Sequence, residues 1–174
     1  MTTAQVSTIS TTQIANLSND QVKALSSAQV RALTTGQIAK LTAEQFSALD
    51  ASDVAALTTT QAGKLTNDQI AGMTTAQVSN LSSAAVKTLS TAQLSNFSAD
   101  QVKALTSTQV RALTTEQVNS LSVENLQAIE NADIAAMTTT QVSAISTSQI
   151  ANLSNDQVKA LSSAQVRALT TGQI

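Results

Sequence analysis

The stretch SNDQVKALSSAQVRAL occupies residues 18–33 and returns unchanged at residues 154–169. Within it the pattern [ST]-x-x-Q-[VI]-x-small-L is written twice, and the same octad runs from Thr2 to Ile174 without insertion or deletion. Its first position is Ser or Thr in twenty of twenty-two starts, with Asp50 and Glu130 as the exceptions. Position four is Gln in eighteen, departing at Asp53, Ala85, Asn125 and Asp133. Position five is aliphatic apart from Phe46 and Ala62, and position eight is Leu, Ile, Met or Phe. Self-similarity at a fixed period is the signature of a repeat architecture in which every unit meets nearly the same surroundings.

A continuous helix cannot supply those surroundings. Eight residues at about 100° each advance the apolar pair by about 80° per octad, so it would smear around the cylinder. Each octad must contain its own break, and the residue types say where. Ser18 followed three residues later by Gln21 is a capping box: the hydroxyl takes the N3 amide and the Gln side chain reaches back to the cap amide. Leu17 and Val22 stand at N′ and N4, the hydrophobic staple. The spacing therefore predicts a short helix over residues 19–24 and over each equivalent stretch, with Leu25 ending one helix and stapling the next.

Charge placement checks this independently. Nine of the eleven acids occupy octad positions one or three, and Asp53 and Asp133 take position four. All nine bases, from Lys23 and Arg31 to Lys159 and Arg167, lie at positions six or seven. Acids at the start and bases at the end match the helix dipole, and Asp20 and Lys23 are also i,i+3 neighbours. A β-solenoid is the alternative fold class, since Thr and Val favour strands, but its corners want Gly, Asn or Asp, and the four glycines fall at positions three, six and seven, with no common corner site. The lack of junction glycines further predicts a connection through extended Leu and Ser, without left-handed backbone.

One octad has too little apolar surface to offset the ordering of eight residues, so stability must come from neighbours that share each Val and Leu. The fold class expected is all-α, a repeat solenoid of short capped helices. Positions five and eight point inside, position seven (Ala24, Ala32, Ala104, Ala160) makes close contacts, and positions two, three and six face water. Octads three to seven match thirteen to seventeen, whereas octads one to five match eighteen to twenty-two. One shift is even and the other odd, so no alternation of two octad types is encoded. Residues 1–174 are thus read as a single array. It stops in mid-octad at Ile174 with no polar capping unit, and Met1 stands outside the register, so the expectation is a segment of a longer array.

Composition narrows function. Nine Lys and Arg against eleven Asp and Glu, a net charge of −2, leave no basic footprint, so no nucleic-acid partner is expected. The apolar runs are too short for membrane insertion. Cys, His, Trp, Tyr and Pro are absent. Without His or Cys the usual bases, nucleophiles and metal ligands are missing, and the many hydroxyls are accounted for as helix caps, so no enzyme activity, no cofactor and no catalytic or metal site is expected. Two octads, DASDVAAL at 50–57 and ENADIAAM at 130–137, pair Asp50 with Asp53 and Glu130 with Asp133. A Ca²⁺ ion needs six or more oxygens, so these are read as substituted capping boxes, Asp itself being a good cap. Met73 and Met137, at position eight, are read as core.

Stretches such as ALTTGQIAKLTAEQF (residues 32–46) and ALTTEQVNSL (residues 112–121) resemble the tandem repeats of very long bacterial surface or secreted proteins, often described as adhesins or haem-utilisation proteins. The resemblance covers the whole chain through its eight-residue motif. It implies an extracellular or cell-surface stalk or adhesin array whose partners are neighbouring repeats of the same chain, and a cell-surface glycan or protein. The His, Cys or Tyr that haem ligation uses are missing here. From the residues themselves the leading expectation is a spacer, because positions two, three and six are bland. The alternative is a binding module that presents rows of hydroxyls, with Thr11, Thr35, Thr59, Thr75, Thr91, Thr115 and Thr139 at position two, to an ordered partner such as polysaccharide or ice.

Overall fold

In the computed structural model, which describes residues 1–174, the chain forms twenty-one α-helices of four to six residues and no strand. A helix begins every eight residues, from Thr3 to Ser163. All but four of the helices carry the complete capping box, those beginning at Ala51, Ser83, Val123 and Asn131 being the exceptions. At Asn19–Lys23, Gln21 N–H donates to Ser18 Oγ at 3.2 Å while Ser18 N–H donates to Gln21 Oε1 at 2.9 Å. The N-cap residues are extended, as Ser26 at φ −82°, ψ 161°, and so is Leu33 at φ −60°, ψ 140°, whereas a helix that ends one residue earlier has a helical C-cap, as Ala24 at φ −77°, ψ −2°. No residue has positive φ, so the chain turns without glycine, as the octad predicts.

The chain forms two compact units, Met1–Leu89 and Ser90–Ile174, while the octad register runs unbroken through Leu89 and Ser90. In each unit a helix packs on the helix three octads away. In the first, Ala43–Ser47 lies against Asn67–Gly72 and Ala51–Ala55 against Thr75–Asn80; in the second, Ser107–Ala112 lies against Asn131–Ala136. Octads therefore stack in turns, and each core residue is enclosed by its own octad and by a neighbouring turn.

Positions five and eight form the core of both units, as expected: Val54, Ile70, Val118 and Ile134 are fully buried, and Leu81, Leu105 and Leu121 nearly so. Phe46 and Phe97 fill the same positions with larger aromatic side chains, and Met73 and Met137 are buried core residues. Position seven is half-buried rather than enclosed: Ala32, Ala104 and Ala160 are partly exposed and Ala24 is open. It sits at the seam between turns, where a Cβ on Gly72 would come within 3.1 Å of Ala43 Cβ three octads earlier. Positions three and six are largely exposed, and position two ranges from exposed to half-buried at Thr35, Ala43 and Val123. No helix is long and apolar enough to cross a membrane.

Candidate functional site

The side chain that organises the molecule is the position-four glutamine, in a second role that the capping box does not reveal. Most of these glutamines are buried, Gln69 fully and Gln77 to 1%. Their Oε1 atoms accept from the cap amides of their own helices, and their Nε2 groups donate to two main-chain carbonyls one turn earlier. In the first unit Gln69 Nε2 donates to Ile38 and Leu41 carbonyls, each at 2.7 Å. In the second, Gln141 Nε2 donates to Val110 at 2.9 Å and Leu113 at 2.8 Å. The receiving groups lie 31 and 28 residues earlier, so one turn takes between three and four octads.

The physical reason is the shortness of the helices. The last carbonyls of a helix lack intrahelical donors, and in a five-residue helix that shortfall affects nearly every carbonyl. One Gln amide therefore caps the start of its own helix and the end of a helix in the preceding turn. A signal for this was present in the sequence. Glu serves a capping box as well as Gln does, yet Glu never occupies position four. A carboxylate could accept the cap N–H but could not donate to the carbonyls beneath.

The four exceptions show what happens when the donor is lost. Asn125 Nδ2 reaches the Phe97 carbonyl at 3.0 Å, but its shorter arm makes no return bond to the cap amide. Ala85 contributes neither bond, although Ser82 still accepts from its N–H at 3.1 Å. Asp53 and Asp133, both largely buried, accept instead: Ser27 Oγ donates to Asp53 Oδ1 at 2.6 Å, and Ser107 Oγ donates to Asp133 Oδ1. The two Ser–Asp pairs stand ten octads apart at the same octad positions, which follows from the block-wise self-similarity of the sequence.

The reading of DASDVAAL and ENADIAAM as substituted capping boxes is corrected here. Asp50 and Glu130 take the extended cap conformation, yet neither side chain makes a cap hydrogen bond. The shorter arm of Asp at N3 makes no return bond to the cap amide, and its carboxylate accepts instead from Ser27 or Ser107 in the preceding turn. The acidic pairs also do not converge with a third acid; no group of three His, Cys, Asp or Glu comes together anywhere in the chain.

The remaining surface is small and polar. Six of the threonines singled out at position two are exposed, while Thr35 is half-buried. Glu44, in the first turn of its helix, is held below the usual carboxylate range by its own backbone amide and by the Thr42 hydroxyl. Asp156 and Lys159 form an exposed i,i+3 ion pair at 3.3 Å, a geometry that contributes little.

Among known families, the ALTTAQ repeat matches the chain at residues 19–51, 46–83 and 126–163, together more than half of its length. No curated protein matches it.

Proposed function

The chain belongs to the ALTTAQ repeat family, and from that membership we propose that it works as a spacer, a stalk or fibre segment of an adhesin-like protein at a bacterial surface or in a secreted fibre. The observation that carries this reading is the glutamine ladder. It supplies cohesion between successive turns from within the repeat itself, so octads can be added without redesigning a core. The exposed positions offer Ser, Thr, Ala, Asn and scattered charges, with isolated Arg31, Arg111 and Arg167 but none of the aromatic anchors with which Arg forms binding hot spots. The test is to lengthen the chain by whole octads. An end-to-end distance in X-ray scattering that grows in proportion to the octads added, with silence on glycan arrays, supports a spacer.

The exposed threonines Thr11, Thr59, Thr75, Thr91, Thr115 and Thr139 favour a second reading, a module that presents hydroxyls to an ordered polysaccharide or to ice. Thermal hysteresis or saturable glycan binding by the chain, lost when these threonines become valine, replaces the spacer reading with this one.

A further inference from the structure

Between one helix and the next the chain passes through octad positions seven, eight and one, and the passage has a fixed form. Position eight turns inward, while positions seven and one are not buried in any octad. At Leu81 the backbone is extended, with φ −56° and ψ 137°, and so is that of Ser82, with φ −64° and ψ 146°. Asn80 and Ser82, on either side of the buried Leu81, therefore both stand in solvent. Position one supplies a hydroxyl in twenty of twenty-two octads, so an Asn at position seven writes Asn-x-Ser or Asn-x-Thr across the junction.

Four junctions carry that triplet: Asn16-Leu17-Ser18 and Asn80-Leu81-Ser82 in the first unit, Asn96-Phe97-Ser98 and Asn152-Leu153-Ser154 in the second. The other asparagines, Asn19, Asn67 and Asn119 among them, have no hydroxyl two residues on. Asn80 and Asn96 lie well inside the chain, the first exposed and the second half-buried, and Ser82 and Ser98 are both exposed. Each serine Oγ accepts the N3 amide of its helix, from Ala85 at 3.1 Å and from Gln101 at 3.2 Å. A hydroxyl that accepts in this way keeps its own O–H for a further partner. Asn80 Nδ2 donates to the Ala76 carbonyl at 2.9 Å and Asn96 Nδ2 to the Ala92 carbonyl at 2.6 Å. Those bonds use one of the two hydrogens that each amide carries.

We propose that the position-seven asparagines of these junctions, Asn80 and Asn96 foremost, are acceptors for N-linked glycosylation. Asn-x-Ser, with x other than Pro, is the sequence at which a sugar is joined to an asparagine amide. Here it lies where the chain leaves a helix, with the amide and the hydroxyl outside and only the middle residue in the core. The donor is a sugar activated as its diphosphate ester. The asparagine Nδ2 bonds to the anomeric carbon, the bond from that carbon to the phosphate oxygen breaks, and its electron pair leaves with the diphosphate. One amide proton passes to a base of the transferase, and the other N–H is left for the Ala76 or Ala92 carbonyl. A bulky, hydrated group at position seven stands over the seam between turns without entering the core. The inference goes beyond the spacer reading and can fail without it, since a bare chain can still space.

The test incubates the folded 174-residue chain in two arms, one with a soluble asparagine glucosyltransferase and UDP-glucose, the other with an oligosaccharyltransferase and a polyprenyl-diphosphate oligosaccharide. Peptide mass mapping reads the occupancy of each asparagine, and circular dichroism confirms that helix content is unchanged. Sugar is expected at Asn80 and Asn96 in at least one arm, with none at Asn19 or Asn67, and the arm that reacts identifies the donor. Ser82→Asp keeps a good N-cap acceptor but has no hydroxyl. It is expected to lower occupancy at Asn80 by about ten-fold or more and to leave Asn96 unchanged. Ser82→Thr keeps both the cap and the hydroxyl and is expected to preserve occupancy. Absence of sugar from Asn80 and Asn96 in both arms, equal occupancy at Asn19, or occupancy at Asn80 that survives Ser82→Asp would each overturn the assignment.

Discussion

Residues 18–33 and 154–169 have the same sequence and opposite burial. In the first copy Gln21 is exposed and Val22 fully buried; in the second Gln157 is buried and Val158 is 48% exposed. Their helices, caps and staples are alike, since those depend on neighbours within the octad. What differs is which adjoining turn is present. The first copy has a turn to cover its valines and, beneath its glutamines, only the Met1 carbonyl, to which Gln29 Nε2 donates; the second has a full turn beneath its glutamines and none over its valines. A residue in this fold has no fixed energetic worth apart from its place in the stack, which is the one-dimensional nearest-neighbour logic of repeat proteins in molecular detail.

That contrast can be broken by paired substitutions, measured by denaturant unfolding. The largest difference is expected at the glutamines. Gln157→Ala strips donors from the buried Leu126 and Ile129 carbonyls as well as the cap contact at Ser154, and should cost about 2–3 kcal/mol. Gln21→Ala loses only a solvated capping contact and should cost about 0.5–1 kcal/mol. Equal losses at the two sites would show that the inter-turn bonds contribute nothing.

The valines should behave in the opposite sense. Val22→Ala removes two buried methyl groups and opens a small void, for about 1.5–2.5 kcal/mol, whereas Val158→Ala should stay within about 0.5 kcal/mol. A larger loss at Val158 would reverse the assigned polarity of the stack.

The exceptions sharpen the same comparison. Asp53→Gln should restore an amide opposite the Leu25 carbonyl and a return bond to the Asp50 amide, raising stability by about 1 kcal/mol. A fall in stability would mean that the Ser27 hydroxyl bond outweighs a regular rung. The smallest effect concerns Glu44, whose carboxyl is held low in the folded chain. A depressed carboxylate stabilises above its unfolded value and loses that contribution as pH falls through the folded value. The chain should therefore lose a little stability on the acid side of the ordinary Glu range, and Glu44→Gln, followed by thermal melts from neutral to acid pH, should remove that increment. A pH profile unchanged by the substitution would show that the Thr42 and backbone contacts do not act on the charge.

Much of this was legible from letters alone because much of it is local. The restart of the helix at Ser18 and the extended passage through Leu and Ser follow from contacts within eight or nine residues, which a period-eight pattern states directly, and the recurrence of Val and Leu marks the positions that turn inward. The second bond of Gln69, by contrast, joins atoms 28 and 31 residues apart, and no local pattern marks that distance. The only trace was the absence of Glu at position four. The acidic octads were misread for the same reason: a cap at Asp50 was judged from its own helix, whereas Asp53 answers to Ser27, twenty-six residues earlier.

By itself, then, the amino-acid sequence determined an all-α array that restarts once per octad, because hydroxyl, amide and staple act over one helical turn. Only the tertiary structure decided how many octads complete a turn, that the glutamines bind backward while the valines are covered forward, and which copy of an identical segment is buried on which side. Those properties depend on the angle through which each helix is passed to the next. That angle is set by the packing of turns against one another and appears in no single octad.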